Sequence, residues 1–189
     1  MIAIETRRLL LRNFRPDDAE SLQEIIIQKE SSEYTLYDYE WPTSAGEIKS
    51  VTKWFASEDH YIAVCLKETE KLIGFICLNP AERKDSRDFN LGYCFNSDYH
   101  GQGYATEGCR AVIDFAFSDL KAENLTCGTA AVNGPSCRLL DRIGFKKINE
   151  GTASFRKTSD GKPIEFTGWE FALSKEEWLK SQAEPDHKK

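Results

Sequence analysis

The stretch YHGQGYATEG, residues 99–108, decides how this chain of 189 residues is interpreted. It joins an alternating apolar pattern over 89–95 to a helical apolar pattern that begins at Ala105. Its two glycines, Gly101 and Gly103, allow the backbone to approach a ligand closely. The first turn of the following helix adds N–H groups without partners and the positive end of the helix dipole. The junction therefore predicts a binding site for a phosphate-bearing ligand.

Other phosphate-binding loops fit the same residues less well. A Walker loop requires Gly-Lys followed by Ser or Thr, and the sequence contains no such triplet. The dinucleotide fingerprint needs a third small residue where Thr106 stands, and an acidic residue about 20 positions later at the end of a strand. Glu123 lies near that position but precedes a predicted strand. A dinucleotide site is therefore the weaker alternative, and a tight turn without any ligand is a third.

Several sequence blocks resemble one known family. HGQGYA at 100–105 resembles the acetyl-CoA loop of the GNAT N-acetyltransferases, usually written Gln/Arg-x-x-Gly-x-Gly/Ala. The longer run over 99–107 resembles the branch that acetylates ribosomal-protein N-termini. NGPS at 133–136 with LLDRIGF at 139–145 is similar to that branch's Asn-x-x-Ser helix, and ETRRLLLR at 5–12 to its first strand. The blocks occur in the family's order, and the resemblance covers most of the chain.

This resemblance implies an α/β fold with a central mixed, mostly antiparallel sheet of about seven strands and helices on both sides. We expect a single domain over residues 1–183 and a polar, flexible tail over 184–189. The implied activity is acetyl-CoA-dependent N-acetyl transfer, in which the acceptor amine attacks directly in a ternary complex. The acceptor is either a protein N-terminal α-amine or a small-molecule amine. The alternative is a non-catalytic acyl-CoA-binding sensor or regulatory module.

The resemblance also assigns residues to acetyl-CoA. The glycine loop would hold the pyrophosphate through backbone N–H groups, and the strand before it would lie along the pantetheine arm. Asn133 would bind the pantetheine, and Ser136 would lie near the sulfur as a candidate acid for the thiolate. Asn and Ser are also preferred helix caps, so a structural role stays open for both. The full cofactor-binding set is Tyr93, Cys94, Phe95, His100, Gly101, Gln102, Gly103, Tyr104, Ala105, Thr106, Asn133 and Ser136.

The catalytic groups depart from the family's pattern. Many GNAT enzymes carry a tyrosine acid four residues after the serine position, where this chain has Leu140. The ribosomal-type branch often has a glutamate two residues before the strand glycine, where this chain has Asn90. His100 replaces Gln or Arg at the start of the loop, which matters less because the loop works through its backbone. Asp98 and Glu107 lie near the loop, but Glu107 also suits the helix dipole. The general base is unknown.

Acceptor specificity is expected in YTLYDYEW, residues 34–41, between the first two predicted helices. GNAT enzymes commonly build the substrate mouth from this region. Its aromatic rings and two carboxylates would suit a cationic amine. The alternative is a loop whose aromatic side chains pack on the sheet while its carboxylates face water. The predicted substrate-binding residues are Tyr34, Tyr37, Asp38 and Trp41.

Composition narrows the class of protein. The 25 basic and 31 acidic residues give a net charge of −6, which argues against nucleic-acid binding. We expect a cytoplasmic protein with no membrane partner, because no apolar stretch approaches ~18 residues and the N-terminus does not resemble a signal peptide. Six scattered cysteines without a CxxC pair predict reduced thiols and no metal site, with Cys94 or Cys137 as a nucleophile the alternative. Monomer and homodimer both stay open.

Periodicity predicts the element order β-α-α-β-β-β-α-β-α-β-β. Pro16 precedes the first helix, and Ser44 with Glu47 forms a capping box for the second. The second helix is expected to turn Trp54 inward with its other apolar residues. Gly168 is expected to mark a bulge in the last strand. Strands are predicted near 8–14, 61–66, 72–78, 89–95, 125–130, 145–154 and 164–173.

Overall fold

The computed structural model describes residues 2–81 and 86–183, and this part of the chain contains eight β-strands and five α-helices. The predicted tail at 184–189 lies outside the described residues. The strands are β1 (Ala3–Glu5), β2 (Leu9–Asn13), β3 (Tyr61–Leu66), β4 (Leu72–Pro80), β5 (Asp88–Phe95), β6 (Asn124–Ala130), β7 (Lys146–Ala153) and β8 (Phe166–Ser174). The helices are α1 (Ala19–Glu30), α2 (Ala45–Ser57), α3 (Tyr104–Ser118), α4 (Gly134–Arg142) and α5 (Lys175–Ala183).

The strands form one mixed sheet in the order β1-β2-β3-β4-β5-β6-β8-β7. Neighbouring strands are antiparallel except β5 and β6, which form the single parallel pair of the described sheet. The predicted mixed, mostly antiparallel sheet is therefore confirmed, with eight strands rather than about seven. The additional strand is β1, whose three residues are too short to show an alternating pattern.

Helices cover both faces of the sheet, as predicted. One apolar core joins α3, α4 and α5 to the sheet through residues such as Val112, Leu140 and Trp178. The second core joins α1 and α2 to the opposite face through residues such as Ile25 and Phe55. Each face of the sheet therefore buries its own set of alternating side chains.

Local sequence signals set the helix ends. A short 3-10 turn at Pro16–Asp18 leads into α1, and Ser44 caps α2 by accepting a hydrogen bond from the N–H of Glu47. Trp54 does not turn inward as predicted. Its side chain is 47% exposed, while Thr52 is buried and donates to a carbonyl one turn earlier. A buried hydroxyl that bonds its own helix backbone can replace an apolar side chain on the inner face.

The bulge lies in β7 rather than at Gly168. The ladder between β7 and β8 shifts register between Lys147 and Asn149, which leaves Ile148 as the extra residue. Gly168 pairs in register with both neighbouring strands. The prediction at Gly168 is therefore wrong, because β8 keeps its alternation there and Phe166 lies on the opposite face from Trp169, against Tyr37 and Phe155.

The parallel ladder between β5 and β6 is short. It contains three residue pairs and ends at Asn90 and Thr126, although both strands continue beyond these residues. After that point β5 pairs only with β4, and β6 pairs only with β8. The two strands therefore separate and leave an opening, here called the wedge, between residues 91–95 of β5 and 127–130 of β6.

No helix in the described ranges is both long enough and apolar enough to cross a membrane. The longest of them, α3, has 15 residues.

Candidate active site

The glycine loop follows β5 directly at the open side of the wedge. Asn96 ends the strand, a 3-10 turn covers Ser97–Tyr99, and α3 begins at Tyr104. Gly101 and Gly103 have φ angles of 72° and 82°, in the left-handed region that side chains disfavour. This conformation explains why the sequence carries glycine at both positions.

The backbone of this loop presents a row of free donors. The first helical hydrogen bond of α3 runs from the N–H of Glu107 to the carbonyl of Gly103, at 3.0 Å. Within the described residues, the six N–H groups of 101–106 donate to no protein acceptor. Together with the positive end of the α3 dipole, they form an anion-binding surface.

Arginine side chains surround the same loop. Arg8 Nη1 donates to the carbonyl of Gln102 at 2.9 Å, and the Arg8 guanidinium lies 4.2 Å from the centre of the Tyr104 ring. Arg142 Nη1 lies 3.4 Å from Thr106 Oγ1 at the first turn of α3. Two guanidinium groups therefore lie at the loop, and the charge of Arg8 is balanced by its ion pair with Glu107.

Glu107 anchors the loop to the N-terminal segment. Its carboxylate accepts hydrogen bonds from Thr6 Oγ1 at 2.7 Å, from the Arg8 N–H at 2.8 Å and from Arg8 Nε at 2.7 Å. Burial opposes ionisation of Glu107, but these bonds outweigh burial and lower its pKa. A carboxylate held ionised by three donors is a poor general base, so its role here is structural.

Two other polar side chains shape the loop. His100 Nε2 lies 3.0 Å from the carbonyl of Phe95, which ties the loop back to the end of β5. Asn96 is fully buried, and its Oδ1 accepts from the N–H of Asp98. The Asn96 Nδ2 has no hydrogen-bond partner in the described residues. An unpaired buried amide is costly, so this group is a donor in need of an acceptor.

Opposite the loop, α4 begins beside the wedge. Asn133 caps the helix, since its Oδ1 accepts from the N–H of Ser136 at 3.2 Å. The Ser136 hydroxyl lies 2.8 Å from the hydroxyl of Tyr93 on β5. This contact spans the opening from β5 to the helix that follows β6. The structure therefore brings together two of the predicted residues from positions 43 apart in the sequence.

Burial limits the chemistry available at Leu140 and at the candidate cysteines. Leu140, at the position where the GNAT resemblance implies a tyrosine acid, is fully buried in the core. Burial raises the pKa of the Cys94 thiol to about 12 and also raises that of Cys137. Thiols that stay protonated at neutral pH are weak nucleophiles, which argues against the cysteine alternative.

The predicted acceptor segment is held by a charge network. Arg156, in the connection between β7 and β8, donates to both carboxylate oxygens of Glu30 at 3.0 and 2.8 Å. The same guanidinium donates to the carbonyls of Asp38 and Tyr39 at 2.8 and 3.1 Å. Lys29 Nζ lies 3.0 Å from Glu30 and 3.2 Å from Asp38. The segment is therefore fixed to the connection between β7 and β8.

This network engages Asp38, one of the two carboxylates of the segment, together with Glu30 of α1. Burial opposes ionisation of Glu30, but the bonds from Arg156 and Lys29 outweigh it and lower its pKa. Asp38 pairs with Lys29 instead of presenting a free charge. Ion pairs therefore balance the charges of Glu30 and Asp38, while Glu40, the second carboxylate of the segment, is exposed.

Two aromatic residues of the segment pack against the rest of the protein. Trp41 contacts the rings of Phe55 and Phe75 at centroid distances of 5.9 and 6.0 Å. Tyr37 packs edge-on against Phe166 of β8 at 5.4 Å. Tyr34 is partly buried. The packing alternative therefore describes Trp41 and Tyr37 well.

No group of three or more His, Cys, Asp or Glu side chains in the described residues is arranged to hold a metal ion.

Comparison with known proteins identifies the family. The sequence profile described as acetyltransferase (GNAT) domain matches residues 8–146. The chain belongs to the GNAT acetyltransferase family. The protein p20 of Bacillus licheniformis, named as an N-acetyltransferase, is 25% identical over 181 residues, which cover 94% of this chain and 99% of that protein.

Solved structures agree in fold. A GNAT-family acetyltransferase from Bacillus anthracis superposes with a TM-score of 0.79 at 22% identity, covering 93% of this chain and 100% of that one. RimJ of Mycobacterium smegmatis, solved in complex with CoA-disulfide, superposes with a TM-score of 0.71 at 17% identity, covering 89% and 83%. The predictions of a GNAT fold and of an N-acetyltransferase are thereby confirmed.

Sequence reasoning missed several groups of this GNAT site. Arg8 and Arg142 reach the loop from segments 94 and 36 residues away from their contacts. Arg156 meets Glu30 across 126 residues. No local pattern marks such contacts, because periodicity reports only which face of an element is buried.

Replacement of Glu107 by Gln tests its structural role. We expect turnover to persist, while the free energy of unfolding falls by about 1–3 kcal/mol at neutral pH because charge-assisted hydrogen bonds are lost. The folded-state pKa of Glu107 lies below its unfolded value of 4.5, so its stabilisation is present above that value and is lost as pH falls through the folded-state pKa.

Urea unfolding across a series of decreasing pH values measures this difference. The stability curves of the wild type and of Glu107→Gln should converge in acid. A variant with unchanged stability, but with turnover abolished at a temperature where it is folded, would contradict the structural role and restore Glu107 as a base.

Proposed function

We propose that this GNAT protein transfers an acetyl group from acetyl-CoA to a primary amine, with a protein N-terminal α-amine as the preferred acceptor. The observation that carries the proposal is the row of six unpartnered N–H groups at 101–106, placed directly after the strand that bounds the wedge. A pyrophosphate carries acceptor oxygens for these N–H groups. The presence of CoA in RimJ, which shares the fold, supports the same ligand class.

The residues present fit a CoA thioester along its length. The loop N–H groups, with Arg8 and Arg142 beside them, suit the phosphates. The buried Asn96 Nδ2 is a donor without a partner at the end of β5. The wedge offers separated strands between which an extended arm can lie, with backbone groups on each side. Each part of the ligand therefore meets groups of matching polarity.

Acetyl-CoA supplies an acetyl group on a thioester, which is activated toward attack by an amine. The amine nitrogen forms a bond to the carbonyl carbon while the bond from that carbon to sulfur breaks. One proton leaves the nitrogen and one is taken up by the departing thiolate, so no other reactant is required. The hydroxyl of Ser136, at the wedge, is the proposed donor of the second proton.

The side chains favour an α-amine over a lysine-like amine. Position 90 carries Asn rather than Glu, and Glu30 and Glu107 are held ionised by cationic partners. Without a strong base, the acceptor itself must supply neutral amine. At neutral pH roughly a tenth of an α-amine is unprotonated, compared with roughly one part in 2,500 of a lysine side chain. The acceptor with the lower pKa is therefore the better match.

Thiol release from acetyl-CoA tests the proposed function. The reaction is followed with and without N-terminal peptides, polyamines, aminoglycosides and amino acids. We expect release that depends on the amine and is fastest with peptides that present a free α-amine. Binding of acetyl-CoA without release for any amine would instead support the non-catalytic sensor. A rise in melting temperature with a dinucleotide, but not with CoA, would favour the dinucleotide alternative.

Two matched glycine variants test the loop within the same assay. Gly101 and Gly161 both have positive φ, and at both an added Cβ would meet open space. Alanine therefore introduces a similar backbone strain of about 1–2 kcal/mol at each. We expect Gly101→Ala to raise the KM for acetyl-CoA about tenfold, and Gly161→Ala, in the distant hairpin connection, to leave it unchanged. Equal effects would contradict the loop assignment.

Replacement of Arg156 by Ala tests whether the segment 34–41 belongs to the acceptor site. The variant loses the bonds that fix Asp38 and Tyr39 to the hairpin, so the segment gains freedom. We expect the KM for the amine to rise about tenfold, the equivalent of about 1.4 kcal/mol, with the KM for acetyl-CoA unchanged. Steady-state kinetics in both substrates measure this split.

The control is Lys162→Ala, which removes an exposed ion pair with Asp160 in the same connection. This pair contacts neither Glu30 nor the acceptor segment, and we expect both KM values to be unchanged. An equal rise in both KM values for Arg156→Ala, or none in either, would show that the segment is not part of the acceptor site.

A further inference from the structure

A side-chain contact joins Tyr93 of β5 to Ser136 at the start of α4. The Tyr93 side chain crosses the wedge and ends on a helix of the other wall. Its hydroxyl lies 2.8 Å from Ser136 Oγ and 3.5 Å from the Ser136 carbonyl oxygen. In the described residues, both polar contacts of this phenol therefore fall on one amino acid.

The direction of this hydrogen bond follows from the surroundings. Burial raises the pKa of Tyr93 well above its ordinary value, so the phenol keeps its proton. Its ring packs among apolar side chains of the core that includes Cys109 and Cys127. Of the two Ser136 oxygens near the phenol, the carbonyl oxygen at 3.5 Å lies beyond the usual O–H···O distance, so the partly buried phenol donates its proton to Oγ at 2.8 Å.

That direction leaves the Ser136 proton free. An oxygen that accepts from the phenol donates its own hydrogen elsewhere, and chains of hydrogen bonds in an apolar setting strengthen one another. The Ser136 N–H is already engaged with Asn133, which fixes the residue at the start of α4. The serine hydroxyl is thus held in place and polarised as a donor toward the wedge.

We propose that Tyr93 is a positioning residue that aligns and polarises the Ser136 hydroxyl for protonation of the departing thiolate, and so compensates for the leucine at position 140. This inference rests on the proposed function. The Ser136 proton passes to the sulfur as the bond between carbon and sulfur breaks, and solvent returns a proton to Ser136. The amine releases one proton to solvent, which balances the proton that solvent returns to Ser136. Tyr93 itself keeps its proton throughout.

The test is a double-mutant cycle of Tyr93→Phe and Ser136→Ala. Tyr93→Phe removes one oxygen and keeps the ring, so packing is preserved. We expect it to lower kcat about five- to tenfold, as loss of a hydrogen bond between neutral groups does, without changing the KM for acetyl-CoA. In the Ser136→Ala background the same change should have no further effect, because Tyr93 acts through Ser136.

The control is Tyr61→Phe, which removes a phenolic oxygen from β3, where the ring stacks on Phe55 on the opposite face of the sheet. We expect its kcat to equal that of the wild type. Melting temperatures of all variants with saturating CoA verify folding and binding.

Each outcome has a distinct meaning. The inference is supported if the wild type releases thiol in an amine-dependent way and the losses in kcat from Tyr93→Phe and Ser136→Ala are not additive. If the wild type is active but the two losses in kcat are additive, the inference is overturned and the proposed function stays intact. The same holds if Tyr93→Phe leaves kcat unchanged. A wild type that releases no thiol with any amine overturns the proposed function, and the inference with it.

Discussion

The parallel ladder between β5 and β6 ends after three residue pairs, and the candidate site depends on that end. Because the strands separate there, backbone groups that would pair in a continuous sheet are left for a ligand. The helix and loop that follow each strand then reach the same opening. The glycine loop arrives from β5 and the start of α4 arrives from β6. Both positions are consequences of the point at which β5 and β6 separate.

Ion pairs hold each side of this opening in place. On the side of the glycine loop, Arg8 and Glu107 join the N-terminal segment to the first turn of α3. On the side of the proposed acceptor segment, Arg156 and Glu30 join the connection between β7 and β8 to the segment between α1 and α2. These two carboxylates are engaged in ion pairs, which makes them poor general bases. The proposed preference for an acceptor amine of low pKa follows from this.

The sequence predicted the parts governed by local patterns. Alternation located the seven longer strands, and the glycine pair located the loop, because both signals depend on neighbouring residues. The sequence did not predict the three-residue strand β1 or the bulge at Ile148, because each depends on pairing with another strand. The contact between Tyr93 and Ser136 and the ion pair of Glu30 with Arg156 were also missed. They join residues far apart in sequence, and only the folded sheet sets their distances.

Amide hydrogen exchange with and without acetyl-CoA tests the central claim most directly. The six N–H groups of 101–106 have no protein acceptor within the described residues, so they should exchange rapidly in the free protein. The account predicts that acetyl-CoA slows exchange at these residues and at 91–95 of β5, on the open side of the wedge. Slowing confined to another surface, or none at saturating acetyl-CoA, would contradict it.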